Sequence, residues 1–155
     1  GLRRQSFDIV VTNPPFLPAG RDTPPPEPGR AAAAVESAGL DRWLDACLRR
    51  LQPGGWLVLV HRAGRIADLA AHLAGRCGAI RIFPLWPKAD AREARRVLLF
   101  ARKGARDEAH LLRGLVLHEA GGGFTPEAEA VLRHAHGIPG LADLRASDCS
   151  RGARG

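Results

Sequence analysis

The stretch Phe7-Asp8-Ile9-Val10-Val11-Thr12-Asn13-Pro14-Pro15-Phe16 decides how this chain is read. Residues 7–12 are largely apolar and β-branched, and they run directly into Asn-Pro-Pro. Proline has no N–H to give to a ladder, so a buried strand ends in a loop at Asn13. In open α/β sheets ligands bind outside the carboxyl ends of the strands. An amide, two prolines and an aromatic ring stand at such an end here. The Asn13 side-chain oxygen and the Pro14 carbonyl can each accept one N–H of a planar amine, while Phe16 stacks on the ring that carries it. Holding both hydrogens turns the nitrogen lone pair toward an electrophile. Asn13, Pro14, Pro15 and Phe16 are therefore the candidate catalytic set, although Asn-Pro-Pro taken alone also serves as an ordinary turn.

Working outward, residues 17–29 are crowded with Pro, Gly, Arg and Asp, which predicts an irregular excursion. Residues 31–38 suit a helical turn or two. Residues 41–51 put Trp43, Leu44, Cys47, Leu48 and Leu51 on one helical face, with Pro53-Gly54-Gly55 as the stop. The run Trp56-Leu57-Val58-Leu59-Val60 reads as a central strand covered on both faces. Residues 65–75 form the next helix, with Ile66, Leu69, Ala70 and Leu73 at helical spacing. Residues 80–85 and 95–102 are two further strands joined by a loop at 86–91.

Past Gly104 an extra strand is expected near Leu115-Val116-Leu117. Thr125-Pro126-Glu127 then opens a helix, with a hydroxyl at the N-cap and proline at the first helical position. Its apolar face is Ala128, Val131, Leu132 and Ala135. The expected fold is an α/β, Rossmann-like, mostly parallel sheet closed by a C-terminal antiparallel hairpin. Residues 1–137 form the domain part, and residues 138–155 are expected to be a disordered tail.

Composition narrows the function classes. A chain of 155 residues with 45% hydrophobic and 25% charged residues suffices for one core. No apolar run approaches the ~20 residues of a membrane span, and no signal-peptide core follows Gly1, so a cytoplasmic protein without a membrane partner is expected. Cys47, Cys77 and Cys149 show no paired spacing, which argues against a disulfide framework. His118-Glu119 lacks the second histidine of a helical zinc site, and no metal is expected. The net charge of +7 is almost wholly arginine, the only lysines being Lys88 and Lys103. It permits a polyanionic partner, and biased codon usage explains it equally well.

The four-residue motif at the end of an apolar strand resembles that of the class I S-adenosylmethionine-dependent methyltransferases that modify exocyclic or amide nitrogens. FDIVVTNPPF, LDACLRRLQPGGWLVLVHRAGRIADL, RRVLLFARKG and LRGLVLHEAGGGFTPEAEAVLRHA together resemble the bacterial tRNA-Val adenine-N6 methyltransferase group over residues 7–135. The resemblance implies a class I methyltransferase sheet, S-adenosyl-L-methionine as cofactor and RNA, in the first place tRNA, as partner. It makes Asn13, Pro14, Pro15 and Phe16 the amine clamp, with His61 and Arg62 at the next strand end on the acceptor side. Phe16 stands where the family more often has tyrosine.

The family's glycine-rich loop after the first strand and its acidic residue after the second have no counterpart here, so the N-terminal half of the sheet is expected to be missing. Apolar residues such as Ile9, Val11, Leu57 and Leu59 would then be uncovered. Arg92, Arg95, Arg96 and Lys88 form a basic cluster that either contacts RNA phosphates, with Arg92 and Arg95 as substrate-binding residues, or protects an exposed hairpin edge. Trp43, on a helix's apolar face, is expected to be a packing residue rather than a base-stacking platform. A protein-glutamine methyltransferase and a non-catalytic fragment are the alternative functions.

Overall fold

The computed structural model describes residues 6–14 and 30–138. Strand β1 is Phe7–Thr12, and helix α1 is Arg30–Arg50. Strand β2 is Leu51–Arg62, followed by a 3-10 turn over Ala63–Arg65 and helix α2, Ile66–Leu73. Strands β3 (Cys77–Lys88), β4 (Arg96–Lys103), β5 (His110–Leu111) and β6 (Leu115–His118) precede helix α3, Pro126–His134. The Pro/Arg-rich excursion, Pro15, Phe16 and the tail after Ile138 lie outside the described residues.

The strands form one sheet in the order β1-β2-β4-β3-β5, with β6 also on β3. β1 runs parallel to β2, placing Val11 beside Val58 and Thr12 beside Leu59. β4 lies antiparallel between β2 and β3. β5 and β6 are parallel to β3. The sheet is thus mixed, and the expectation of a mostly parallel one is corrected. Its two longest ladders are those of β4, which inserts between strands that the sequence order would have set side by side. The antiparallel β3–β4 hairpin is present as expected. Because β4 is flanked on both sides, the basic cluster at its start does not guard an exposed strand edge. It sits in the loop at the strand ends.

Alternation divides the β2 side chains. Leu57, Leu59 and His61 are buried, while Trp56, Val58 and Val60 are half-buried on the other face. The first face carries α1 and α2, and its core holds Leu40, Leu44, Cys47, Leu48, Leu57, Leu59, Leu69, Leu73, Leu99 and Ala101. Fully burying one such leucine stabilises by roughly 1.5–3 kcal/mol. The second face holds a smaller core of Phe83, Phe100, Leu115 and Ala128 beneath α3. Ile9 and Val11 are 58% and 73% exposed, as expected, whereas Leu57 and Leu59 are both fully buried, against expectation, because they face the helices.

Local chemistry explains the elements. Residues 31–38 and 41–51 join into one helix, which ends at Arg50 rather than at Pro53. Leu51 already pairs with Phe7, and Ile9 pairs next with Trp56, so residues 52–55 bulge between these pairs. Gly55 is required there: a Cβ would stand 2.9 Å from the Asp8 carbonyl oxygen. Arg49 and Arg50 favour the negative end of the α1 dipole. Lys103 Nζ donates to the Leu48 and Leu51 carbonyls, each at 2.7 Å, and so closes the same helix end.

At α3 the Thr125 hydroxyl accepts from the Ala128 N–H at 3.1 Å, with Pro126 following as expected. Only Ala128 of its expected apolar face is buried, and Leu132 is 57% exposed. Among the described residues, no helix is long and apolar enough to cross a membrane, and no group of three His, Cys, Asp or Glu residues could hold a metal ion.

Candidate functional site

Asn13 follows the last residue of β1 and is exposed, while Pro14 is buried. A buried proline beside an exposed amide fixes the chain's direction and leaves the side chain of Asn13 open to a ligand. The anchor lies one residue earlier. Trp43 Nε1 of α1 donates to Thr12 Oγ1 at 2.7 Å. Burial pushes the Cys47 thiol, one turn further along α1, up, and the neighbouring Thr12 side chain acts against the shift. Helix α1 therefore grips the end of the strand that presents Asn13.

Trp43 thus does more than the packing expected of it. The side chain is 41% exposed and acts through its N–H, because a large ring at the rim of a helix–sheet contact needs a partner for its polar atom. The periodicity that placed Trp43 on the apolar face said nothing about its nitrogen. The signal available in the sequence was a Trp on the helix following a strand that ends in a hydroxyl residue.

The same edge of the sheet collects the other candidates. His61 and Arg62 end β2, and Arg62 pairs across the ladder with Arg96 at the start of β4. The Arg95 carbonyl accepts from the Ala63 N–H at 3.0 Å, joining the β3–β4 loop to the turn after β2. Arg92 and Arg95 are exposed in that loop, in company with Asp90 and Glu93. Asn13 lies two strand spacings from the β4 end, about 10 Å. His61 and Arg62 share the edge, but alternation sends them to opposite faces. His61 is 3% accessible, and Arg62 is exposed.

An open cleft of about 800 Å³, lined by Trp56, Arg81, Arg102, Arg106 and His110 among others, lies at the opposite end of the strands and takes no part in this site. Arrayed at one edge, an open amide on a fixed backbone and exposed guanidinium groups can orient an amino group and hold an anion.

The three consecutive glycines 121–123 occupy a turn in which the Glu119 N–H donates to the Gly123 carbonyl at 2.8 Å, just before α3. They do not form a strand-to-helix turn beside β1. Of the expected catalytic set, Asn13 and Pro14 are among the described residues.

No protein-family profile matches the chain. Over 73 residues it is 38% identical to the 4-amino-L-phenylalanine/4-methylamino-L-phenylalanine methyltransferase of Streptomyces pristinaespiralis, a match covering 43% of this chain and 25% of that protein. Its fold is similar to the crystal structure of Atu636 from Agrobacterium tumefaciens, described as a predicted O-methyltransferase. The TM-score is 0.65 and the identity 25%, over 84% of this chain and 53% of that one. A weaker likeness, with a TM-score of 0.46 and 17% identity, is to the M protein of the type I restriction enzyme EcoKI, over 86% of this chain and 31% of that one. The chain thus spans about half the length of the solved relative and a quarter of the curated one. Its α/β fold with a mixed sheet is methyltransferase-like, and a methyltransferase is among its homologues.

Proposed function

We propose that the chain carries the amine-accepting side of an S-adenosylmethionine-dependent N-methyltransferase whose substrate is the exocyclic amino group of adenine in RNA, in the first place tRNA. The observation that carries this reading is Asn13, exposed at the carboxyl end of a strand that α1 grips one residue before it. Its amide oxygen and the Pro14 carbonyl accept the two amine hydrogens, which fixes the nitrogen lone pair in one direction. Such orientation lowers the barrier by removing unproductive poses. Pro15 and Phe16 complete the clamp in this reading, with Phe16 stacked on the base. S-adenosylmethionine supplies the methyl group when bound.

RNA is favoured as the substrate by the net charge of +7 and by Arg62, Arg92 and Arg95 at the same sheet edge as Asn13. Their guanidinium groups suit phosphate oxygens. A loop adenine is already partly unstacked, so its extrusion costs less than from a duplex.

A second reading draws on the Streptomyces relative, which by its name acts on 4-amino-L-phenylalanine, an amino group on a flat ring. The same clamp accommodates a small aryl amine and needs no phosphate contacts. Methylation assays with the complete protein on unmodified tRNA, on 4-amino-L-phenylalanine and on a glutamine peptide separate these readings. Transfer to tRNA that Asn13→Ala lowers by ~10²-fold is expected. Equal rates for the variant and the parent protein remove the site, and transfer to the aryl amine alone moves the assignment to the small molecule.

A further inference from the structure

A second group of residues at the same sheet edge has no place in the clamp. β6 ends at His118, whose cross-strand neighbour on β3 is Lys88. The chain then turns through Glu119 to Gly123, and Phe124 returns to bridge His118. The two rings stack with centroids 5.0 Å apart and planes 21° from parallel. His118 Nδ1 is enclosed and has no hydrogen-bond partner among the described residues.

Phe124 is 40% exposed, an unusual position for a phenylalanine in a turn that is otherwise tightly tied. The ties are the Gly122 N–H to the Glu119 carbonyl at 3.0 Å, the Thr125 N–H to the Leu117 carbonyl at 3.0 Å, and the Thr125 hydroxyl to the Val116 carbonyl at 2.7 Å. Lys88 Nζ lies over the same turn, donating to the Ala120 carbonyl at 3.2 Å. Arg92 is exposed four residues further along the β3–β4 loop. A Cβ on Gly121, Gly122 or Gly123 would meet nothing within 4 Å, so the space beside the turn is open.

We propose that Phe124, backed by His118, is a stacking platform for an unpaired nucleobase that flanks the methylated one, with Lys88 at the turn, and Arg92 in the loop that follows β3, for the connecting phosphates. Rigid aromatic faces interleaved with cations are what single-stranded nucleic acid requires: each base offers a π-face and each linkage a charge. β6 stands four strand spacings from β1, roughly 19 Å, so the platform holds a different nucleotide from the one at Asn13. The proposal rests on the RNA reading above and adds to it a site that discriminates single strands from duplexes.

The test is fluorescence anisotropy at low salt with the full 155-residue chain, using a labelled ten-nucleotide single-stranded RNA and a hairpin-free duplex of the same length. Phe124→Leu keeps apolar bulk in the turn and loses the π-face, and Phe124→Trp enlarges it. Phe124→Leu is expected to weaken single-strand binding by roughly fivefold to a hundredfold, the range expected from losing one base stack, and to leave duplex binding unchanged. Phe124→Trp is expected to match or exceed the parent chain. Single-strand affinity unchanged in Phe124→Leu, or lowered equally for single strand and duplex, overturns the platform while the RNA reading stands. A parent chain that binds neither RNA overturns both.

Discussion

The indole Nε1 of Trp43 donates a 2.7 Å hydrogen bond to the hydroxyl of Thr12, and this contact ties the middle of α1 to the last residue of β1, immediately before Asn13. It joins positions 31 residues apart, so the helix that follows the strand helps to fix the strand's end. Trp43→Phe keeps the ring and deletes the donor. The expected cost is about 0.5–1.5 kcal/mol in urea unfolding. Amide exchange at Val11, Thr12 and Asn13 should quicken more than in β2. Equal exchange in both strands would mean that the bond does not position the site.

A second brace crosses from α1 to α2. His72 contacts Asp41 at 2.9 Å and Asp45 at 3.0 Å, and Arg76 reaches Asp45 at 2.7 Å. The Arg76 hydrogen bond, with a smaller contribution from His72, holds the Asp45 carboxyl below its ordinary value of 3.8. A carboxyl depressed in the folded state lends stability above its unfolded value and loses it as pH falls through the folded one. The melting temperature should therefore drop on acidification below that ordinary value, and Asp45→Asn should flatten part of the drop. An Asp45→Asn chain with the same acid limb as the parent would show that the brace carries no pH dependence.

Lys103 offers a stability test remote from the site. Its ammonium group satisfies the Leu48 and Leu51 carbonyls where α1 gives way to β2. Lys103→Met retains most of the stem and leaves both carbonyls without that donor. A loss of about 1–3 kcal/mol is expected, read as a lower denaturant midpoint at unchanged slope. A loss within experimental scatter would mean that water replaces the ammonium at no cost.

How much of this was legible in the sequence depended on whether the partner was local. The α3 start was readable because Thr125 and Pro126 are cap chemistry, decided within four residues. The uninterrupted run Trp56–Val60 correctly marked a central strand. The hairpin of β4 with β3 was equally legible, but sequence order favours pairing neighbours and gives no sign that β4 also inserts beside β2. The end of β1 before Asn13 was legible from the apolar run and the prolines that stop it. Thr12, Trp43 and the Phe124–His118 stack were not, since each depends on a contact between elements that no spacing encodes.

The cofactor question has a direct measurement. Among the described residues no glycine-rich strand-to-helix turn stands beside β1, and β1 pairs with β2 alone. Calorimetric titration of the 155-residue chain with S-adenosylmethionine should give no binding tighter than about 1 mM. Micromolar binding by a monomer would place a cofactor cradle where none is now assigned.

The two faces of the β1–β2 pair differ in how far they are covered. Val11 and Leu59 lie near the same sheet edge, yet Val11 is 73% exposed and Leu59 is fully buried. Leu59 packs in the cluster under α1 and α2, so Leu59→Ala removes buried methyl groups and leaves a cavity, at an expected cost of about 2–5 kcal/mol. Ile9→Thr with Val11→Thr changes two side chains that water already reaches and keeps their β-branched shape. Each change should move stability by no more than about 0.5 kcal/mol. The pair of changes should also lower binding of an apolar dye and slow aggregation, since Phe7, Ile9 and Val11 form an exposed apolar row on β1. The opposite result, a threonine double variant that unfolds while Leu59→Ala stays stable, would mean that the core lies on the other face of the sheet.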